Sequence, residues 1–216
     1  MKVAVLTMFC GLSSTYSLVN VVADQIEMLL RANIQVKVLV SETCPDQERK
    51  GIFADKRIEW VKIINTYKGA NIAWHDYSSG TGKVHETFFE EAELIAADFV
   101  RHLKDVDVCI LHDILYQGWH LIHNIAIRTA QKELPHLRFL AFTHSLPLNR
   151  PMELEYPFSA RYTPMPRITF VYPTYSGLGA LARQYDVPLG RCAVVYNTLP
   201  LLESMGEDVR RAAENI

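Results

Sequence analysis

The chain has 216 residues, 49% of them hydrophobic, and its 22 Lys and Arg against 24 Asp and Glu give a formal net charge of −2. This length and apolar content suit one compact core. Without an excess of positive charge the chain is a poor candidate for a nucleic-acid binder, because such proteins gain affinity by neutralising phosphates. It has no apolar run approaching the roughly 20 residues that cross a bilayer, so we expect membrane association to be peripheral at most.

The four cysteines are spread along the chain without a C-x-x-C pair. They are Cys10, Cys44, Cys109 and Cys192. Two of them stand inside apolar, strand-like runs, which is typical of reduced thiols in or near a protein core. We therefore expect a cytoplasmic protein.

The first half of the chain alternates aliphatic runs, which predict strands, with segments whose apolar residues recur every three to four positions, which predict helices. The predicted strands are 2–8, 35–40, 58–64 and 106–111. The predicted helices are 17–31, with Ser17 as N-cap, and 84–103, with Glu91 among its solvent-facing acidic residues. A polar, glycine-bearing connection over 65–83 precedes the second helix.

The second half continues this alternation. Strands are predicted over 138–142, 168–171 and 192–196, and helices over 119–133, 175–185 and 201–213. The proline-rich stretch from Ser145 to Arg167 is expected to be irregular. Strands separated by helices that are long enough to serve as crossovers indicate an α/β, Rossmann-like fold with a doubly wound, mainly parallel sheet.

Polar residues follow several of the predicted strands. The first strand runs into a Gly11-Leu12-Ser13-Ser14 turn, the fourth into His112-Asp113 and the fifth into Thr143-His144-Ser145. In an open parallel sheet the carboxyl ends of the strands line one crevice. The sequence therefore predicts a ligand-binding edge at these positions.

Two of these groups suggest a specific chemistry. The backbone N–H groups of the Gly11-Leu12-Ser13-Ser14 turn and of the next helix start would suit a diphosphate, although a plain strand-to-helix turn would look the same. An imidazole beside a carboxylate, as in His112-Asp113, can be oriented and made more basic; otherwise the pair would cap the following loop. His120 and His123 are three apart on a predicted helix, but no third ligand follows at a suitable spacing, so no metal site is predicted.

Two loops carry side chains that suit a sugar or another polar-ringed ligand. One is the glycine-bearing connection, whose aromatic faces stand beside hydrogen-bonding groups. The other is the proline-rich stretch, whose arginines would pair with a phosphate or carboxylate. Each loop would equally suit a plain surface segment held by prolines and aromatic residues. The candidates are Trp74, His75 and Tyr77 in the first loop, and Asn149 and Arg150 in the second.

In their order these motifs resemble the N-terminal half of a GT-B glycosyltransferase of the retaining, family-four-like (group 1) kind. The resemblance covers nearly the whole chain. It rests on the Gly11-Leu12-Ser13-Ser14 turn, Asp107 to Asp113, Ala141 to His144, and Tyr185 to Asn197. The sequence departs from the family pattern in having one glycine in the first turn instead of two. It departs again at Thr198 and at Leu199-Pro200, where a glycine and a Val-Asp pair are usual.

The resemblance implies a division of the chain and a reaction. Residues 1–200 would form the acceptor-side domain, and residues 201–216 a junction helix leading to a C-terminal donor domain that this chain lacks, with Asn197 and Thr198 at the junction. The two domains would move a sugar from a nucleotide diphosphate sugar to a small-molecule or glycan acceptor. No metal and no other cofactor would be required, because protein dipoles and basic side chains stabilise the leaving diphosphate. This chain alone would be inactive.

The resemblance also implies roles for the candidate residues. His144 would be the catalytic residue, facing the donor sugar and helping to polarise the reaction centre; the alternative is an edge histidine bonded to the next loop. The Gly11-Leu12-Ser13-Ser14 turn would contact the donor phosphate. Contacts to the acceptor or the sugar would come from His112, Asp113 and the five loop candidates named above.

Two other functions stay open. A chain that ends on a charged helix could be a complete, non-catalytic Rossmann-like binding or assembly module. A sugar-nucleotide epimerase would share the two-domain plan of the transferase. A stop codon after Ile216 would favour the module, and epimerised sugar nucleotide formed without an acceptor would favour the epimerase.

Overall fold

The computed structural model describes residues 1–72 and 75–197. Within them, seven strands form one sheet in which every pairing is parallel. The strands are β1 (Lys2–Leu6), β2 (Gln35–Ser41), β3 (Ile58–Ile63), β4 (Val108–His112), β5 (Arg138–Phe142), β6 (Ile168–Tyr172) and β7 (Cys192–Val194). Their spatial order, β3-β2-β1-β4-β5-β6-β7, confirms the predicted Rossmann-like α/β sheet.

Four α-helices connect these strands in the described part of the chain. They are α1 (Ser17–Arg31), α2 (Phe88–Leu103), α3 (Leu121–Glu133) and α4 (Leu178–Tyr185). The connection after β3 also contains a small antiparallel hairpin, in which Thr66–Tyr67 pairs with Ala70–Asn71. No helix among the described residues is both long and apolar enough to cross a membrane.

The core lies on both faces of the sheet. Along β1, Val3 and Val5 belong to the cluster that packs on α1, whereas Ala4 and Leu6 belong to the cluster that packs on α2 and α3. Because both faces are covered, the central strands are apolar along nearly their whole length instead of alternating. This explains why their positions can be predicted from short apolar runs.

Several local expectations are wrong. Tyr16, not Ser17, occupies the N-cap position of α1, and it makes no side-chain capping bond. The second helix begins at Phe88, four residues later than its predicted start at 84. Glu91 is buried instead of facing solvent. The predicted helix over 201–213, together with Trp74 and Thr198, lies outside the described residues.

Candidate functional site

A cleft lies at the carboxyl ends of β1 and β4, where the strand order reverses. At such a switch point the connections leave on opposite sides of the sheet and open a crevice. A cavity of about 240 Å³ occupies this place, and a second of about 410 Å³ adjoins it. We call the two together the switch-point cleft. The residues that line both cavities are Tyr16, Leu18, Asp113 and Gln117.

The switch-point cleft collects several of the predicted site residues from distant parts of the sequence. Gly11 follows β1, His112 and Asp113 end β4, His144 follows β5, and Asn197 follows β7. The parallel sheet brings them together because the carboxyl ends of all its strands lie at one edge. The expected ligand-binding edge therefore contains a real concave surface, lined by these five residues among others.

Two histidines contact each other in the cleft. His112 lies opposite Phe142 in the β4–β5 register, and His144 stands two residues beyond Phe142. His112 Nδ1 lies 2.9 Å from His144 Nε2. The aromatic ring of Phe142 packs on both imidazoles, with centroid separations of 5.2 and 5.8 Å. The pair is therefore held both by a hydrogen bond and by a shared aromatic neighbour.

The surroundings of both histidines favour their neutral form. Burial and the neighbouring ring of His144 hold the pKa of His112 well below its ordinary value. Burial also lowers the pKa of His144, although the negative charge of Asp113 opposes this shift. A neutral imidazole has one N–H donor and one acceptor nitrogen. The contact between the rings uses one nitrogen of each, and the other two, His112 Nε2 and His144 Nδ1, are buried without a hydrogen-bond partner among the described residues.

Asp113 ties the two strand ends together. Its backbone N–H donates to the carbonyl of Phe142 at 3.0 Å, and its φ of +59° turns the chain away from β4. Its Oδ1 accepts the backbone N–H of His144 at 2.9 Å and the hydroxyl of Tyr116 at 2.6 Å. The carboxylate that was expected to contact a sugar or acceptor thus also positions the backbone of His144.

The predicted phosphate turn is only partly in the cleft. Gly11 lines it, whereas Leu12, Ser13 and Ser14 line a different cavity beside Glu48. The backbone N–H of Leu12 donates to the Glu48 carboxylate. A Cβ at Gly11 would come within 3.0 Å of the same carboxylate, so the glycine leaves room for it. A carboxylate therefore already occupies one of the donors that a phosphate would use.

The start of α1 offers a second group of donors to the cleft. Tyr16, Ser17 and Leu18 line it, and the first turn of α1 contains no acidic residue. The first N–H groups of a helix have no partner within the helix, and they carry the positive end of its dipole. The helix start therefore favours a negatively charged ligand group, whereas the carboxylates of Asp24 and Asp113, which line the same cavity, oppose one.

Tyr77, one of the first-loop candidates, belongs to a chain of hydrogen bonds that the sequence analysis did not predict. The Tyr77 hydroxyl lies 2.5 Å from His85 Nδ1, and His85 Nε2 lies 2.9 Å from the carboxylate of buried Glu91. Thr87 donates its hydroxyl to the same carboxylate at 2.6 Å. His75 stacks on His85 with a centroid separation of 4.7 Å. This arrangement could not be predicted, because nothing in the helical pattern distinguishes Glu91 from the acidic residues around it.

The second loop candidates do not line the cleft. Asn149 and Arg150 are exposed. Arg150 lies 3.5 Å from Asp186, at the end of α4, and 3.4 Å from the carbonyl of Tyr162. These two candidates therefore stand apart from the histidine pair in this structure.

The two candidate loops nevertheless contact each other. The backbone N–H of Glu155 donates to the carbonyl of Gly80 at 2.8 Å. The buried guanidinium of Arg161 donates to the carbonyls of Tyr77 and Tyr116, at 3.0 and 2.6 Å. Tyr116 also donates its hydroxyl to Asp113, which lines the switch-point cleft. Arg161 therefore links the loop that contains Tyr77 to a residue of the cleft.

Comparison with solved structures identifies a similar fold. A glycosyltransferase from Rickettsia africae ESF-5 superposes with a TM-score of 0.50 at 14% sequence identity. The match covers 90% of this chain but 43% of that chain, so this chain spans less than half the length of its structural neighbour. At this identity the likeness shows the fold alone. No protein-family model and no curated protein matches the sequence.

Proposed function

We propose that this chain is the acceptor-side half of a retaining, GT-B, family-four-like glycosyltransferase that uses a nucleotide diphosphate sugar. Two observations support the proposal: the order of the sequence motifs and the Rossmann-like fold shared with a glycosyltransferase. A second domain, outside these residues, would supply most of the donor site. A small molecule or glycan would be the acceptor.

The observation that carries the proposal is the position of His144. It lies in the switch-point cleft beside the start of α1, with Asn197 on the same surface. His144 is half-buried, and its neutral ring would face the donor sugar without adding a charge. The helix start would stabilise negative charge on the diphosphate as the sugar leaves, since its dipole is fixed in place before the reaction. Neither step requires a metal.

The test uses the intact gene product, with any sequence that flanks these 216 residues, and a panel of nucleotide diphosphate sugars. We expect donor hydrolysis by the wild type, and a loss of roughly 100-fold or more in kcat for His144→Ala, as for other groups that act on a reacting centre. His136→Ala is the matched control, because His136 is exposed on the turn between α3 and β5. The 216-residue chain alone should hydrolyse no donor.

Other results would replace the proposal. Full activity in a folded His144→Ala variant would show that other residues at the carboxyl edge of the sheet carry the chemistry. Inactivity of the intact gene product with every donor would favour a non-catalytic binding or assembly module. Epimerised sugar nucleotide in the absence of an acceptor would indicate an epimerase.

A further inference from the structure

We propose that the smaller cavity of the switch-point cleft, of about 240 Å³, binds an uncharged sugar ring. One face of this ring lies against the indole of Trp119, and one of its hydroxyls donates to Asp113. The proposal rests on the proposed function in one respect, namely that the sugar belongs to the acceptor. It adds the chemical class of that acceptor and a role for Trp119, which the sequence pattern does not single out.

The charges around the cleft disfavour a charged ligand. Among the described residues that line its two cavities there is no lysine or arginine, whereas the carboxylates of Asp24 and Asp113 line it. A ligand anion would meet like charge there without a basic side chain to bind it. A ligand cation would meet the start of α1, which has no side-chain cap and carries the positive end of the helix dipole. The donor diphosphate would take its basic partners from the second domain.

A hydroxyl group, in contrast, matches both parts of this surface. It has one O–H donor and two acceptor lone pairs, so it can accept from the helix start and donate to a carboxylate. Asp113 is 7% exposed, and its Oδ1 already accepts from the backbone N–H of His144 and the hydroxyl of Tyr116. Its Oδ2 accepts no hydrogen bond from the described residues, and unlike the outward nitrogens of the histidine pair it is not fully buried. Since Asp113 lines both cavities, Oδ2 is available to a ligand.

Trp119 supplies the apolar surface that a sugar ring needs. It is 44% exposed and lines the smaller cavity together with Tyr16, which is 50% exposed. A sugar ring carries C–H groups on its faces and hydroxyls around its edge, so it packs one face on an aromatic ring and leaves the hydroxyls to polar partners. At about 240 Å³ the cavity is smaller than the roughly 300 Å³ at which sites for drug-sized ligands begin, and it therefore suits about one sugar ring.

The turn that carries Trp119 is fixed by close packing. A Cβ at Gly118 would lie 2.7 Å from the backbone nitrogen of Ser78, so the two backbones approach as closely as glycine permits. Arg161 in turn donates to the carbonyl of Ser78 at 2.9 Å. Trp119 thus stands on a supported turn, and binding does not have to order a flexible segment first.

The experiment is saturation-transfer NMR on the 216-residue chain. The probes are methyl glycosides of uncharged hexoses, with glucose 6-phosphate, glucuronic acid and glucosamine as charged sugars. We expect saturation transfer to at least one uncharged glycoside, and none to the charged sugars at the same concentration. Titration of the glycoside then gives its dissociation constant.

Variants of Trp119 and Asp113 test the two contacts separately. Trp119→Ala should weaken binding of the uncharged glycoside by roughly 10-fold, whereas Trp119→Phe, which keeps an aromatic ring, should lose less. Phe89→Ala is the matched control, because Phe89 is 43% exposed on α2 and does not line the cleft. Asp113→Asn removes the charge and replaces Oδ2 with a donor, so it should weaken the uncharged glycoside and let glucose 6-phosphate bind.

The site and the proposed function can fail separately. The site is overturned if no uncharged glycoside shows saturation transfer, if a charged sugar binds the wild type as tightly, or if folded Trp119→Ala binds like Phe89→Ala. If an uncharged glycoside binds through Trp119 but the intact gene product transfers no sugar, the proposed function fails and the site stands. If the intact gene product transfers sugar to its acceptor equally well with Trp119→Ala, the proposed function stands and the site is overturned.

Discussion

At the scale of single residues, Glu91 illustrates how partners permit burial of a charge. A carboxylate that leaves water loses its hydration, and it is tolerated in a protein core only when protein donors replace that water. Here His85 and Thr87 supply the donors, at 2.9 and 2.6 Å. The same contacts hold His85 within hydrogen-bonding distance of the Tyr77 hydroxyl. Glu91 therefore helps to fix the conformation of the loop that contains Tyr77.

Replacing this carboxylate tests the arrangement. We expect Glu91→Gln to lower the free energy of unfolding by about 1–2 kcal/mol, because charge-assisted hydrogen bonds become neutral ones. In addition, the amide NH₂ of glutamine would face the donors of His85 and Thr87 and could not accept from them. Urea unfolding measures the change. Glu93→Gln is the matched control, since Glu93 is exposed on the same helix. Equal unfolding midpoints for the two variants would contradict a stabilising role for the buried contacts.

At the scale of elements, Gly177 sets how closely the start of α4 approaches β6. A Cβ built at this position would lie 1.9 Å from a ring carbon of Tyr172. Since Tyr172 ends β6 and is 8% exposed, its ring has little room to move. The absence of a side chain at Gly177 is therefore a packing requirement of the connection between β6 and α4.

Two glycine substitutions in this connection should have opposite effects. We expect Gly177→Ala to destabilise the protein by about 1–3 kcal/mol through overlap with Tyr172. Gly179→Ala, whose Cβ would meet only the flexible end of Arg183 at 3.5 Å, should stabilise it by about 0.5–1 kcal/mol, because alanine favours the helix. Thermal unfolding compares them. A Gly177→Ala variant as stable as Gly179→Ala would show that the ring of Tyr172 moves freely.

The order of strands and helices was predictable because parallel strands covered on both faces leave continuous apolar runs in the sequence. Helix starts were less predictable. The periodicity of the second helix extends back to residue 84, but Thr87 uses its hydroxyl to bind Glu91 and the helix begins only at Phe88. A local side-chain hydrogen bond marks this boundary, and a single sequence does not display which of several polar residues will form it.

The sequence is sufficient to group the candidate residues at one edge of the sheet, but not to predict the contacts between them. Residues that end neighbouring parallel strands must share one edge, which is enough to group His112 with His144. Their direct hydrogen bond depends on β4 and β5 pairing in the register that sets His112 opposite Phe142. The exposed position of Arg150 beside Asp186 depends on the path of an irregular loop, which no periodicity determines.

At the scale of the whole molecule, buried histidines make stability depend on pH. Two histidine pairs lie in the described core: His112 with His144, and His120 with His123, whose Nδ1 atoms lie 3.2 Å apart. Burial lowers the pKa of all four. The folded state keeps these rings neutral at a pH where the unfolded chain would protonate them. Acid therefore favours the unfolded chain.

The pKa of His123 determines how much stability the protein loses in acid through this one residue. Burial lowers its pKa to about 4, against about 6.5 for a histidine in an unfolded chain. Below pH 6.5 the unfolded state binds a proton that the folded state does not, so the free energy of unfolding falls by about 1.4 kcal/mol per pH unit until the folded ring titrates as well. This one residue should cost the protein about 3 kcal/mol of stability between pH 6.5 and pH 4.

Urea unfolding at pH 7.5, 5.5 and 4.5 tests this expectation. The wild type should lose stability steeply below pH 6.5. His123→Gln, which has no ring to protonate, should lose about 2.5 kcal/mol less between pH 7.5 and pH 4.5, whatever its stability at pH 7.5. His136→Gln is the matched control, because His136 is exposed on the turn between α3 and β5. Parallel curves for the wild type and His123→Gln would mean that the His123 ring is protonated as readily in the folded chain as in the unfolded one.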